Sequence, residues 1–314
     1  MIRSVSYSAK PVIPKMPNPI VLIAFNRPDL LQRQLETLHE YSGRTIFAII
    51  DGPRPNRPDD VENVRLVLEQ LDSLKQRFIL HKLTSDTNLG VYKRIKSGLN
   101  WVFEQTEQAI ILEDDCLPGP GFIDFTDEML DRFADAEDIY SVSGTNLFPL
   151  LNTDRLRYFF CRYHNCWGWA TWARAWRKLL VERDEWLTLR KSPEFNRLFP
   201  NPRARLYWRH ILDKTYSGEI QSWFYRWMLT CWVNNGLAVV PGANLISNLG
   251  SGDAATNTAS SPFMNRPVGD ISQFSRTPDS SSPFSDYDIT LEDTMYSKSL
   301  MNRFRWLSRK LQSR

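Results

Sequence analysis

The apolar positions fall into short unbroken runs separated by longer amphipathic stretches. Ile20-Val-Leu-Ile-Ala-Phe25 stops at Asn26, and Thr45-Ile-Phe-Ala-Ile-Ile50 stops at Asp51-Gly-Pro. Such runs suit strands buried on both faces of a parallel sheet. Phe78-Ile-Leu80 and Ala109-Ile-Ile-Leu112 repeat the pattern. Between them the spacing turns helical: Leu30, Leu31, Leu35 and Leu38 follow a capping Asp29, then come residues 59–76 and residues 91–105. This β-α-β-α-β-α-β order predicts an α/β fold, a mostly parallel mixed sheet flanked by helices.

After residue 140 the pattern changes. The stretch 158–186 is dense in Trp, Tyr and Phe; 203–216 and 221–233 read as helices and Leu237–Val240 as a strand. From Ala259 to Asp286, Ser, Pro, Asp and Phe alternate without period, which predicts a loop or extended segment packed on the body. Residues 298–314 read as a helix with Leu300, Phe304, Leu307 and Leu311 on one face. No internal repeat is visible, and the apolar runs are too short to span a bilayer. The first 18 residues are polar with three prolines, so no secretory signal is expected.

Charge changes the picture only locally. The 314 residues sum to +3, yet 298–314 hold six basic residues and no acid, leaving the remainder net acidic. An acidic body disfavours a general nucleic-acid role. The basic amphipathic tail reads either as a contact with an anionic membrane surface or as an ordinary helix packed on the domain. The four cysteines form no CxxC pair, and buried free thiols in a reducing cytoplasm are the plain reading. His164 reads as a structural residue.

In an open parallel sheet, ligands bind beyond the carboxyl ends of the strands. Here those ends carry Asn26-Arg27-Pro28, Asp51-Gly52 and Glu113-Asp114-Asp115, and the loop into the third helix is Thr87-Asn-Leu-Gly-Val-Tyr-Lys-Arg94. Three consecutive carboxylates repel one another unless a cation neutralises them, and hard cations prefer oxygen ligands. With Arg27, the Lys93-Arg94 pair and a metal around one crevice, a diphosphate ligand would suit it. Taken singly, each feature has a plainer explanation: an acidic turn or helix cap, a surface ion pair, a common turn sequence.

Jointly, Ile23-Ala-Phe-Asn-Arg-Pro28, Asp51, Asn88-Leu-Gly90 and Ile111-Leu-Glu-Asp-Asp115 resemble GT-A fold glycosyltransferases. The resemblance is to the inverting branch typified by N-acetylglucosaminyltransferase I and its bacterial relatives. Cys166-Trp-Gly-Trp-Ala-Thr-Trp172 and Asn244-Leu-Ile-Ser-Asn248, followed by Gly250 and Ala255-Thr256, resemble further blocks of those relatives. The resemblance covers roughly residues 19–258. It implies a GT-A domain over 19–258, flanked by what the residues themselves read as a leader (1–18), an irregular extension (259–297) and a basic helix (298–314).

It further implies Mn²⁺ (or Mg²⁺) on Asp115, with Asp114 at the ribose or a metal-bound water. Glu113 would touch the donor sugar, and Arg27 and Asp51 the nucleotide. Lys93 and Arg94 are added as diphosphate or ribose contacts because they open the helix before the acidic strand. Trp167, Gly168 and Trp169 read either as core filler or as an apolar wall beside the sugar. The implied activity is metal-dependent, inverting transfer from a nucleotide-sugar, UDP-sugar before GDP-sugar, to a glycan or lipid-linked acceptor. The implied location is the cytoplasm or the inner face of its membrane.

One position departs from the family pattern. Where the relatives show Trp-Asp, this chain has Trp223-Phe224, and Phe cannot accept a proton; Asn257 likewise replaces a His. The nearest upstream acids, Glu219 and Asp213, are the candidate bases. A nucleotide-sugar-binding module without turnover is the alternative. A sugar-phosphate nucleotidyltransferase is disfavoured, because no Gly-rich strand-to-helix loop opens the chain.

Overall fold

The computed structural model describes residues 16–152, 154–179, 182–250 and 263–297, of which 295–297 by backbone alone. Most of the leader, the segment with Ala255, Thr256 and Asn257, and the basic tail 298–314 lie outside the described residues.

The first half follows the apolar pattern. Strand β1 (Ile20–Ala24) leads to α1 (Pro28–Thr37), β2 (Thr45–Ile50), α2 (Pro58–Ser73), β3 (Ile79–Leu83), α3 (Val91–Phe103) and β4 (Gln108–Glu113). Asp29 does not cap α1. The helix starts earlier, with Arg27 at the cap and Pro28 at its first position, where the missing N–H costs nothing. Asp29 instead sits in the first turn, where its charge favours the helix dipole.

The second half holds β5 (Cys116–Pro118), α4 (Phe122–Arg132), β6 (Ile139–Ser143), β7 (Tyr158–Cys161), β8 (Trp169–Trp172) and α5 (Ala173–Trp176). Then come α6 (Arg183–Leu189), α7 (Pro193–Leu198), α8 (Pro202–Ser217), α9 (Phe224–Val233), β9 (Leu237–Pro241), β10 (Ile246–Asn248) and α10 (Ser285–Leu291). Eight strands form one sheet in the order β3-β2-β1-β4-β8-β6-β9-β7, and β10 pairs with β5 in a small ribbon. Pairing is parallel from β3 through β4 and between β6 and β9, and antiparallel at β8 and β7.

The two-residue period of the strands divides the core. Ile20, Leu22, Ala24, Ile46, Ala48, Ile50, Ile110 and Leu112 face the layer of α1, α2 and α4. Val21, Ile23, Phe47, Ile49, Ala109 and Ile111 face α3, α5 and α9. Alternate side chains on opposite faces, all apolar, are what a doubly covered sheet requires. Trp172 lies on the first face and Trp169 on the second. A further cluster gathers α6, α7, α8 and part of α9 beside β7.

Residues 263–297 are less irregular than their composition predicts. Bridges Leu156–Arg276 and Phe160–Pro283 lay the segment along β7, and the Phe284 N–H donates to the Phe160 carbonyl at 2.7 Å. The segment thus covers an edge strand. It runs into α10 and a further helical turn, Glu292–Ser297, with Tyr287 and Leu291 as apolar anchors in the cluster beside β7.

His164 is buried, with Nδ1 2.5 Å from the Ser141 hydroxyl. Burial lowers its pKa from 6.5 to about 3. Between those values the unfolded chain takes up a proton that the folded chain refuses. Stability is therefore expected to fall as pH drops from 6.5 toward 3, by up to about 1.4 kcal/mol per pH unit from this group. Urea unfolding at pH 7 and pH 5 checks this: His164→Gln should show a shallower pH dependence than wild type, and equal slopes would rule the group out.

Candidate active site

Strand order reverses at β1: the chain winds outward through β2 and β3, then returns across the opposite face to set β4 on the other side of β1. Such a reversal opens a crevice at the carboxyl ends of the two central strands. With Ile23 in register with Glu113, the segments Asn26-Arg27 and Glu113-Asp114-Asp115 leave the sheet side by side.

Arg27 binds both aspartates through one nitrogen. Its Nη2 donates to Asp114 Oδ1 and lies 3.2 Å from Asp115 Oδ2. Asp114 is 4% exposed, while the Asp115 side chain retains 19%. Burial raises the Asp114 pKa against the pull of Arg27. Burial by itself would lower the Arg27 pKa, but Asp114 and Asp115 together raise it above its ordinary value. Glu113 is pushed up to about 8, first by burial and then by the charges of Asp115 and Asp114, against a hydrogen bond from the Trp223 side chain.

The acidic turn is held from two sides. Gln34, buried on α1, donates from Nε2 to the carbonyls of Glu113 and Cys116, at 2.7 Å each. From the other side, the Leu249 N–H donates to the Asp115 carbonyl at 2.8 Å, and Asn248 Nδ2 donates to Asp115 Oδ1 at 3.3 Å. A Cβ on Gly250 would fall 2.3 Å from Asp115 Oδ2, so a larger residue there would push the carboxylate aside. The roles of Gln34 and Trp223 are absent from the sequence reading. The available signal for Gln34 was a polar residue inside the apolar stripe of α1.

The neighbouring loops are tied in the same way. Asp51 is buried, and its carboxylate accepts the N–H groups of Gly52 (3.0 Å), Leu89 (2.9 Å) and Gly90 (3.0 Å). It thereby fixes the entry to α3. Arg94 is also buried and donates to the Leu83 carbonyl. Lys93 stands exposed on the first turn of α3.

In the aromatic block, Trp169 is 1% exposed and packs with Trp223 (centroids 5.2 Å apart), Trp227 (5.6 Å) and Trp176 (6.4 Å). It is core. Trp167 is half-buried. Gly168 has φ +60, and a Cβ there would strike Ile246 at 2.4 Å, which accounts for the glycine.

The two candidate bases lie on α8 and the loop after it. Asp213 accepts from Trp186 Nε1 at 3.0 Å and pairs with Arg190 at 3.0 Å, tying α6 to α8. Glu219 is 59% exposed and paired with Lys214. Phe224 packs at the start of α9 beside Trp223, so the position of the departure does lie next to the acidic turn.

Among the described residues no group of three or more His, Cys, Asp or Glu converges as a metal cage. Instead, two carboxylates share one cationic partner. That arrangement fits Mn²⁺ or Mg²⁺, which take one or two protein carboxylates and complete their shell from substrate oxygens. It does not fit a closed structural zinc site.

No protein-family model matches the chain, and no curated protein matches its sequence. Among solved structures it is similar to the mannosyltransferase PcManGT from Pyrobaculum calidifontis in complex with GDP-Man and Mn²⁺. There the identity is 15%, over 53% of this chain and 48% of that one, with a TM-score of 0.34. It is similar also to the galactosyltransferase LgtC in complex with donor and acceptor sugar analogs (13%, 54% and 64%, TM-score 0.32). A third is UDP-glucose pyrophosphorylase complexed with UDP-glucose (9%, 46% and 63%, TM-score 0.27). The matched region spans under two thirds of each of these chains. At such identities and scores the likeness assigns neither family nor activity; those rest on the site.

Proposed function

We propose that the protein is a metal-dependent glycosyltransferase that takes a sugar from a nucleotide-sugar, with a GT-A arrangement of its donor site. The observation that carries this reading is the pairing of Arg27 with Asp114 and Asp115 at the carboxyl ends of β1 and β4. A guanidinium suits the diphosphate of a donor, and Asp115, the more exposed aspartate, is placed to hold Mn²⁺ or Mg²⁺ with Asp114 beside it. Bound there, the cation would supply Lewis-acid and electrostatic stabilisation of the charge growing on the leaving diphosphate. Glu113 would face the donor sugar and Lys93 would bear on the nucleotide side, while Asp51, its carboxylate taken by three backbone N–H groups, would shape the loop beside the nucleotide. With Arg94 committed to Leu83, the diphosphate contact falls to Arg27.

Inversion, a UDP donor and a glycan or lipid-linked acceptor complete the proposal by resemblance to the N-acetylglucosaminyltransferase I-like branch. Peripheral attachment through the basic tail belongs to the same proposal; no helix among the described residues is long and apolar enough to cross a membrane.

For the base, Glu219 is the better of the two acids, because Asp213 is committed to Trp186 and Arg190. Glu219→Gln should cut release of nucleoside diphosphate from UDP- or GDP-sugars, with Mn²⁺ and an acceptor pool, by at least about 100-fold. Unchanged turnover would remove Glu219 from the mechanism. A second reading, binding without turnover, is favoured by one observation: Glu219 is exposed and ion-paired, whereas burial is the usual way to raise a carboxylate's basicity. Tight nucleotide binding with no product from any donor would establish it.

A further inference from the structure

Arg27 stands in the place a metal ion would have to enter. One guanidinium nitrogen lies against both Asp114 Oδ1 and Asp115 Oδ2, so it already neutralises the oxygens that a divalent cation would use. Around it are three carboxylates, and the Arg27 side chain is only 20% exposed. A second cation arriving at Asp115 would meet an oxygen already engaged by Arg27 and a like charge at short range. A diphosphate relieves both obstacles. It offers the guanidinium a planar, bidentate acceptor, and it offers the metal the oxygens that the protein does not provide.

We propose that Arg27 is the resident counterion of the acidic turn in the donor-free protein and is drawn onto the donor's diphosphate when it binds, so that metal and donor load together. The inference rests on the donor-site reading above and adds a direction to it. Arg27 opposes metal binding before the donor arrives and supports donor binding afterwards. Linkage makes the effect reciprocal: whatever factor diphosphate adds to metal affinity, metal adds to diphosphate affinity. The backbone permits the exchange, because Arg27 occupies the cap position of α1 without a side-chain capping bond, and Pro28 sets the first turn independently of it.

The test uses the full chain, Mn²⁺ and inorganic pyrophosphate, with metal binding read by electron paramagnetic resonance of free Mn²⁺ and pyrophosphate binding by calorimetry. Wild type should bind Mn²⁺ weakly alone and about tenfold or more tightly with pyrophosphate. Arg27→Gln keeps a donor for Asp114 but removes the charge. It should bind Mn²⁺ alone about tenfold more tightly than wild type, and pyrophosphate without metal about tenfold more weakly. Arg27→Lys, which keeps the charge, should stay near wild type for Mn²⁺ alone, and it serves as the folded control.

If Arg27→Gln leaves Mn²⁺ affinity unchanged or weaker, Arg27 does not hold the metal's place and the proposal is overturned. If Asp115→Ala still removes Mn²⁺ binding in that case, the donor-site reading survives. If wild type binds no Mn²⁺ with or without pyrophosphate, the donor-site reading itself fails and this inference with it.

Discussion

Asp115→Ala is expected to lower sugar transfer by about 1000-fold, the scale on which preorganised charge stabilisation acts in a buried site. Two losses combine in that variant. The carboxylate best exposed to a ligand disappears, and Asn248 and Arg27 each lose a partner. Asp115→Asn separates these losses, since it keeps the shape and a hydrogen-bonding oxygen but not the charge. If charge is the function of the residue, Asn should be nearly as impaired as Ala while unfolding at the wild-type temperature. Activity of Asp115→Asn within a few-fold of wild type would mean that Asp115 only holds the turn.

Trp227→Ala should be the most damaging core substitution. The ring is 1% exposed and packs against Trp169 (5.6 Å), Trp176 (5.5 Å), Tyr140 (6.3 Å) and His164 (6.0 Å). Rigid aromatic neighbours on several sides cannot collapse into the space, so a loss of about 3–5 kcal/mol is expected. For a chain of this size that is a fall in melting temperature of roughly 5–8 °C. The same cluster includes Trp223, whose side chain hydrogen-bonds Glu113, so the damage should reach the site. Trp227→Phe, which refills most of the volume, should recover most of the loss. A melting temperature within a few degrees of wild type for the alanine variant would show that the cluster is not the rigid wall described.

Strands β1, β2 and β4 and the three helices between them were legible because each follows one rule, whereas β3 is an edge strand, Ile-Leu-His-Lys-Leu, with Ile79 half exposed rather than buried on both faces. Strands buried on both faces are continuous apolar runs, and the helices between them carry an apolar stripe. After residue 115 the apolar run Leu237–Val240 announced β9, but the other described strands were not legible. β7 is Tyr-Phe-Phe-Cys and β8 is Trp-Ala-Thr-Trp, four residues each, too short for a period to show. β5 and β10 exist because they pair with each other across 128 residues of chain or more, and no local pattern announces that. In the site, the strand-end rule brought Arg27 and the acidic triplet to one place. It did not foretell that Asp51 would spend its carboxylate on three backbone N–H groups, or Arg94 its guanidinium on a carbonyl. Charged residues at a strand end can serve the loop or the ligand, and only their partners in space decide which.

The donor site is the central claim, and calorimetry of UDP and GDP binding to the wild-type chain tests it most directly, with Mn²⁺ and with the metal chelated. One of the two nucleotides should bind with Mn²⁺ at least about tenfold more tightly than without it. Absence of binding by either nucleotide, with or without Mn²⁺, would contradict the account and leave Arg27 and the acidic turn as an ion-paired corner of the fold.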